Sequence, residues 1–144
     1  MATVREILAR KGSTVVSVTP DTTVLDAARL MNERGIGAVV VVDRGTLMGI
    51  FTERDIMRRV VAAERDPAAT PVRAVLSPAV ITTQHEAPVE DCAALMTSRR
   101  IRHLPVEGPD GLSGMITIGD LLAYQVSEQA LTSEQLNSYL YDSR

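Results

Sequence analysis

Apolar residues along the chain follow two periods, and each period predicts a different kind of element. Over 24–31 they fall at i, i+3, i+4 and i+7, the spacing that places side chains on one face of an α-helix. Gly35 marks the end of this helix, and the aliphatic run at 38–42 is typical of a buried strand. With a short strand at 15–18 and a second helix after residue 52, the pattern predicts a β-α-β-β-α unit.

The same order of elements returns in the second half of the chain. Residues 15–61 align without a gap with 80–126, so that Val24, Ala27, Ala28 and Met31 correspond to Val89, Cys92, Ala93 and Met96. A second pair of similar segments lies upstream of the aligned ranges, where VREIL (4–8) is similar to VRAVL (72–76). Two copies are too few for a solenoid, so we predict an α+β fold in which two β-α-β-β-α repeats pack as a pseudo-twofold pair. The predicted boundaries are 1–65 for the first repeat, 66–130 for the second and 131–144 for a C-terminal helical tail.

Composition narrows the classes of function. The chain carries 15 Lys and Arg against 18 Asp and Glu, a net charge of −3, and only 3% of its residues are aromatic. Such a chain lacks the basic and stacking side chains that nucleic-acid binding rewards. The single cysteine, Cys92, allows no intrachain disulfide, and no apolar segment is long enough for a signal peptide or a bilayer span. We therefore expect a cytoplasmic protein that binds neither nucleic acid nor membranes.

One short pattern, Gly-x-x-Thr-x-x-Asp, occurs once in each repeat, as GIFTERD (49–55) and GMITIGD (114–120). In both copies the Thr and Asp have the spacing of a capping box at the start of a helix. A glycine at the end of a strand suggests that another group approaches the backbone closely. A helix N-terminus with a neighbouring Asp also suits phosphate and ribose hydroxyls. Two interpretations are therefore open: structural capping, or binding of a ribose-phosphate.

These paired motifs, together with IRHLPV (101–106), resemble a tandem pair of CBS domains, the regulatory module named after cystathionine β-synthase. The resemblance covers about 4–126 and suggests a stand-alone protein of the bacterial type. It implies that adenine nucleotides (AMP, ADP, ATP or NAD(H)) bind in clefts between the repeats. It also implies a homodimer, formed through the helices at 56–63 and 121–129, and a regulated protein partner that the sequence does not identify.

The resemblance also assigns candidate ligand-binding residues. It implies that Asp55 and Asp120 each hold a ribose, and that Thr52 and Thr117 contact ribose or phosphate. The first cleft would join Thr52 and Asp55 to residues of the second repeat: Thr82, Thr83, Ile101, Arg102, His103, Leu104 and Pro105. The second cleft would join Thr117 and Asp120 to residues of the first repeat: Ser17, Val18, Ile36, Gly37, Ala38 and Val39.

The two predicted clefts differ in charge. Arg102 and His103 correspond to Gly37 and Ala38, so only the first cleft has obvious phosphate ligands. No nucleophile–base constellation and no metal-ligand spacing is apparent in the sequence, and we expect no enzyme activity, catalytic cofactor or metal. Two alternatives to nucleotide binding remain. The chain could be a ligand-free dimerisation or interaction module, or it could bind S-adenosylmethionine, whose adenosine half fits the same cleft.

Overall fold

The computed structural model describes residues 2–78 and 81–129. The predicted tail at 131–144 lies outside the described residues. The elements up to residue 61 are α1 (Val4–Lys11), β1 (Ser17–Val18), α2 (Val24–Arg34), β2 (Ala38–Asp43), β3 (Thr46–Thr52) and α3 (Glu53–Asp55), which continues as a π-helix over Ile56–Val61. After a 3-10 turn at Val72–Ala74, the remaining elements are β4 (Thr83–Gln84), α4 (Val89–Arg99), β5 (His103–Gly108), β6 (Gly111–Thr117) and α5, which is helical over 118–129.

Each repeat forms a three-stranded mixed sheet. In the first sheet β2 pairs in parallel with β1 and antiparallel with β3, and the second sheet repeats this arrangement with β4, β5 and β6. The predicted α+β fold with two β-α-β-β-α repeats is therefore confirmed. The first strand of each repeat is shorter than predicted, because β1 covers only Ser17–Val18 and β4 begins at Thr83. None of the helices within the described ranges is long and apolar enough to cross a membrane.

Local signals explain where the long helices begin and end. Thr23 precedes α2, and its Oγ1 accepts a hydrogen bond from the Asp26 amide at 3.1 Å, which satisfies a free N–H of the first turn. Gly35 ends the helix as predicted, in the left-handed region with φ of 64°. The corresponding residue after α4 is Arg100, which adopts φ of 54° without the freedom of glycine.

The segment in front of each repeat packs into the core of the other repeat. Val4, Ile7 and Leu8 of α1 are buried among side chains of the second repeat. The matching segment around the 3-10 turn places Val72 and Val75 among side chains of the first repeat. Each repeat therefore completes its hydrophobic core with chain that precedes the other one, and the two halves depend on each other for stability.

We call α1 and the matching residues 72–78 the exchanged segments, since each packs into the other repeat. Their packing explains why both motifs contain a glycine. A methyl group in place of the Gly114 hydrogen would lie 2.9 Å from Leu8 Cδ1. At Gly49 it would lie 2.6 Å from Leu76 Cδ1 and 2.6 Å from the carbonyl oxygen of Ser77. The close approach that the motif predicts therefore comes from the chain itself, and glycine is required because any side chain would collide with the exchanged segment.

Replacing either motif glycine with alanine should destabilise the protein, and Gly49→Ala should do so more strongly. At Gly49 the added methyl group meets a backbone carbonyl, whereas at Gly114 it meets the end of a leucine side chain that can rotate. We expect losses of about 1–3 kcal/mol in the free energy of unfolding, as for other overpacked sites. Urea denaturation measures the difference.

Gly119→Ala is the matched control, because the nearest atom to its added methyl group would be Thr117 Oγ1 at an ordinary 3.5 Å. Gly119 lies within α5, where alanine is the better helix former, so stability should stay equal or rise. Unchanged stability of Gly49→Ala would show that packing does not require this glycine.

Candidate functional site

The Thr and Asp of each motif hydrogen-bond to each other at the start of a helix. The Thr52 amide donates to Asp55 Oδ2 at 2.9 Å, and the Asp55 amide donates to Thr52 Oγ1 at 3.2 Å. The corresponding distances between Thr117 and Asp120 are 2.8 and 3.1 Å. Both pairs satisfy free N–H groups of the first helical turn, so the capping interpretation is confirmed. Any ligand must therefore bind to residues that already have a structural role.

Beyond the cap, the carboxylates of the two motifs have different partners. Asp55 is only 6% exposed, and its Oδ1 accepts a hydrogen bond from Ser77 Oγ at 3.2 Å. The Arg59 guanidinium lies further away, with Nε at 3.9 Å from the same oxygen. Asp120 instead accepts a hydrogen bond on Oδ2 from Lys11 Nζ at 2.7 Å. Beyond the cap, Asp55 thus accepts from the neutral hydroxyl of Ser77, whereas Asp120 is in direct contact with the cationic side chain of Lys11.

A cavity of about 410 Å³ lies beside Asp55, lined by residues from both repeats. It contains six of the residues predicted for the first cleft, namely Thr52, Asp55, Ile101, Arg102, His103 and Pro105. Gly37, which was predicted for the second cleft, also lines this cavity. Its apolar lining includes Ile50 and Ile81, which the sequence prediction did not include.

Three residues predicted for the first cleft do not line this cavity. Leu104 is fully buried in the core of the second repeat, and Thr83 Oγ1 lies 3.6 Å from Cys92 Sγ. Thr82 is half-buried away from the cavity lining. Placing every residue of 101–105 in one cleft was wrong for Leu104, because consecutive side chains of a strand point to opposite faces of the sheet. His103 and Pro105 lie on the cavity side of β5, and Leu104 lies on the other.

The cavity is strongly basic. It is lined by five arginines and by only two acidic side chains, Glu53 and Asp55. The arginines are Arg54, Arg58, Arg59, Arg100 and Arg102. The sequence prediction included only Arg102 among the site residues. Because arginine binds phosphate and carboxylate groups through paired N–H donors, this lining favours an anionic ligand.

The alignment of the two repeats contains a signal for the additional cavity arginines. Arg58 and Arg59 correspond to Ala123 and Tyr124 in the second repeat, and Arg100 corresponds to Gly35. In the alignment each of these arginines therefore stands opposite an uncharged residue of the other copy, but the alignment does not show that they face the same space. The tertiary structure supplies that fact, since Arg100 follows α4 while the other two lie on the π-helix after Asp55.

His103 faces a mixed electrostatic environment at the wall of this cavity. Burial lowers the pKa of its imidazole, and the positive charges of Lys11 and Arg102 lower it further, while Glu53 and Asp120 act in the opposite direction. The ring is therefore neutral at pH 7, and it can accept or donate a hydrogen bond there. An added negative charge nearby would raise its pKa again.

A second, smaller cavity of about 210 Å³ lies beside Asp120. Its lining residues are Ile7, Arg10, Lys11, Asp120, Ala123 and Tyr124. Of the residues predicted for the second cleft, only Asp120 lines it, and the rest of the lining comes from α1 and α5. The others lie elsewhere: Thr117 caps α5, Val18 and Val39 are in the core of the first repeat, and Ser17, Ile36 and Ala38 are absent from the lining.

Comparisons with known proteins agree with this architecture. Residues 4–62 and 72–127 match the model of the CBS domain. The chain is 37% identical over 123 residues to the CBS domain-containing protein YhcV of Bacillus subtilis, covering 85% of this chain and 87% of that protein. A solved structure of a CBS-domain protein from Burkholderia ambifaria superposes with a TM-score of 0.86 at 43% identity, over 89% of this chain and 96% of that one. The chain therefore belongs to the CBS-domain family, and the two matched ranges make it a tandem CBS-domain pair.

A more distant structure shares the fold. The CBS domain pair of protein MJ0100 superposes with a TM-score of 0.79 at 22% identity, covering 89% of this chain and 98% of that one. That pair was solved in complex with 5'-methylthioadenosine and S-adenosyl-L-methionine.

Asp55→Asn should destabilise the protein even when no ligand is present. The carboxylate accepts hydrogen bonds from the Thr52 amide, the Thr52 hydroxyl and the Ser77 hydroxyl, and a neutral amide replaces them incompletely. We expect a loss of about 1–3 kcal/mol in the free energy of unfolding, measured by urea denaturation. Glu53→Gln, an exposed change in the same turn, should alter stability by less than about 0.5 kcal/mol. Equal effects of the two variants would contradict the capping role.

Proposed function

We propose that this CBS-domain pair is a regulatory module that binds an adenine nucleotide (AMP, ADP, ATP or NAD(H)) in the cavity beside Asp55. One observation carries the proposal: a single cavity of about 410 Å³ combines the start of a helix at Thr52–Asp55 with five arginine side chains. Phosphate groups suit such a site, since guanidinium groups bind them through paired hydrogen bonds and the positive end of a helix dipole favours their negative charge.

The surroundings of Asp55 also suit a ribose. Its Oδ1 accepts a hydrogen bond from Ser77 Oγ, which is a neutral hydroxyl donor. A ribose hydroxyl is the same kind of donor, so it can replace or join Ser77 without leaving the carboxylate unpaired. The Oδ2 atom continues to cap the helix through the Thr52 amide. Nucleotide binding and helix capping are therefore compatible at one aspartate.

The apolar part of the cavity suits a flat purine base. Ile50, Ile81, Ile101 and Pro105 line it, and they come from both repeats. Binding sites for small molecules typically combine such an apolar lining with a few polar groups that fix orientation. A base held between the repeats would connect ligand binding to their relative arrangement, which is how the module would transmit a signal to its regulated protein partner.

S-adenosylmethionine ranks below the phosphate-bearing ligands. The MJ0100 pair shows that an adenosyl ligand is compatible with the fold. In this chain, however, the cavity carries five arginines against two acidic residues, and the sulfonium group of S-adenosylmethionine is a cation. Repulsion between like charges in a partly enclosed site disfavours it.

The alternative of an interaction module has its own support in an exposed apolar surface. Met57 and Val61 after the first motif, and Leu122 and Val126 after the second, are each more than half exposed. Both pairs have i, i+4 spacing, which places their members on one face of a helix. We propose that these faces form a homodimer, an assembly that is compatible with nucleotide binding and does not require it.

The test of the nucleotide site uses Arg102, which lines the cavity and is exposed, so that its loss should leave the fold intact. In the parent protein we expect calorimetry to show binding of AMP, ATP or NADH and little binding of CMP. Arg102→Ala should weaken AMP binding by about ten- to a hundredfold, the effect of losing a charge-assisted hydrogen bond, and should hardly change adenosine binding.

Arg34→Ala is the matched control, since Arg34 is an exposed arginine at the end of α2 and is not part of the cavity lining. Its AMP affinity should equal that of the parent. Equal binding of AMP and CMP would refute an adenine-reading cavity. Equal weakening of AMP and adenosine by Arg102→Ala would refute the phosphate role of this residue.

The proposed dimer should dissociate when charge is placed on its apolar face. The double variant Leu122→Glu/Val126→Glu should sediment as a monomer in analytical ultracentrifugation at a concentration where the parent is a dimer. Met48→Glu, at an exposed methionine of β3, is the control and should stay dimeric. A double variant that remains dimeric would place the interface elsewhere.

A further inference from the structure

The two exchanged segments end differently, and a proline is the reason. α1 runs through VREILARK to Lys11, whereas the matching segment reads VRAVLSPA and, over its described residues 72–78, makes only a 3-10 turn. Pro78 stands where α1 has Arg10, and proline both lacks an N–H and disfavours the helical conformation of the residue before it. The chain at Ser77 pairs with β3 instead, through the Ser77 amide and the Ile50 carbonyl at 3.0 Å. Only α1 continues for another turn.

That additional turn carries a lysine into the second cavity. Lys11 Nζ donates to Asp120 Oδ2 at 2.7 Å and to the Met115 carbonyl oxygen at 2.8 Å. The lysine and aspartate side chains are 31% and 22% exposed, so water screens the pair only in part. Arg10 stands next to it, with its guanidinium 5.4 Å from the centre of the Tyr124 ring. The ammonium group is therefore held by two oxygens of the second repeat.

We propose that Lys11 is the specificity-determining residue of the second cavity and that it keeps uncharged nucleosides out. Its ammonium group binds Oδ2 of the carboxylate that the motif offers to a ribose, the oxygen that also accepts from the Thr117 amide. The inference rests on the proposed function, because it takes an adenine nucleoside as the ligand that the motif aspartates hold. A ribose hydroxyl is a neutral donor, and at Asp120 it would have to share the carboxylate with an ammonium group that already makes a charge-assisted hydrogen bond to it.

The first cavity has no comparable obstacle. There the Asp55 carboxylate accepts from the neutral Ser77 hydroxyl, and the nearest guanidinium nitrogen of Arg59 is 3.9 Å away. Arg59 is also held elsewhere, because its Nη1 donates to the Leu76 carbonyl oxygen at 2.7 Å. The second cavity is about half as large, with Lys11 forming part of its wall. The same motif thus gives one aspartate whose partner beyond the cap is a neutral hydroxyl and one whose carboxylate is bound by a cation of the chain itself.

Replacing Lys11 with a residue that lacks the ammonium group should allow adenosine to bind in the second cavity. In calorimetric titrations with adenosine, the parent should bind one molecule per chain and Lys11→Met should bind two. The affinity of the second site should rise by about ten- to a hundredfold, the range expected when a ligand no longer competes with a hydrogen bond between charged groups. Lys11→Gln, which keeps a polar end without charge, should also bind two. Adding Asp120→Asn to Lys11→Met should restore a stoichiometry of one.

Arg5→Met is the matched control, since Arg5 lies on the same helix and pairs with Glu86 away from the cavity. It should bind one adenosine. Circular dichroism and thermal melting verify that each variant is folded.

Two sites in the parent, or one site in both folded Lys11 variants, would overturn the inference while leaving the first site intact. If the parent binds neither adenosine nor AMP but Lys11→Met gains one site, the proposed function fails at the first cavity and the role of Lys11 stands. If no protein binds either ligand, both fail.

Discussion

The contact between a leucine of one exchanged segment and the motif glycine of the opposite half is the interaction on which the rest of the structure depends. Leu8 lies on Gly114, and Leu76 lies on Gly49. The first contact joins residues that are far apart in the sequence. The second joins the first repeat to the segment that precedes the second repeat. They bring the exchanged segments against the strands that end in the Thr–Asp pairs, and so the position of both cavities depends on them.

The two cavities differ because the exchanged segments differ. Pro78 ends one segment early, and the freed Ser77 hydroxyl and amide bind Asp55 and β3. The other segment continues as α1 and delivers Lys11 to Asp120. A duplicated fold therefore holds two electrostatically distinct cavities, since the differences between the two segments change which group faces each carboxylate.

Each motif aspartate caps a helix and also lines a cavity. Asp55 caps a helix with Oδ2, accepts from Ser77 with Oδ1, and lines the cavity together with Ser77 and the arginines. A loss of ligand affinity in an Asp55 variant would therefore mix lost capping with lost binding. Arg102 separates the two effects better, because it is exposed and lines the cavity without taking part in the cap.

The sequence by itself determined the repeat, the order of elements, the ends of α2 and the capping boxes, because these depend on periodicity and on hydrogen bonds between residues within one or two turns. Only the tertiary structure decided that α1 belongs to the core of the second repeat, that Leu104 faces that core, and that Lys11 reaches Asp120. Such contacts join residues about a hundred positions apart, and they depend on how two hydrophobic faces pack rather than on any local pattern. The sequence shows that each of the five arginines stands opposite an uncharged residue of the other repeat, but the five line one cavity only because packing brings the π-helix, the end of α4 and the start of β5 together.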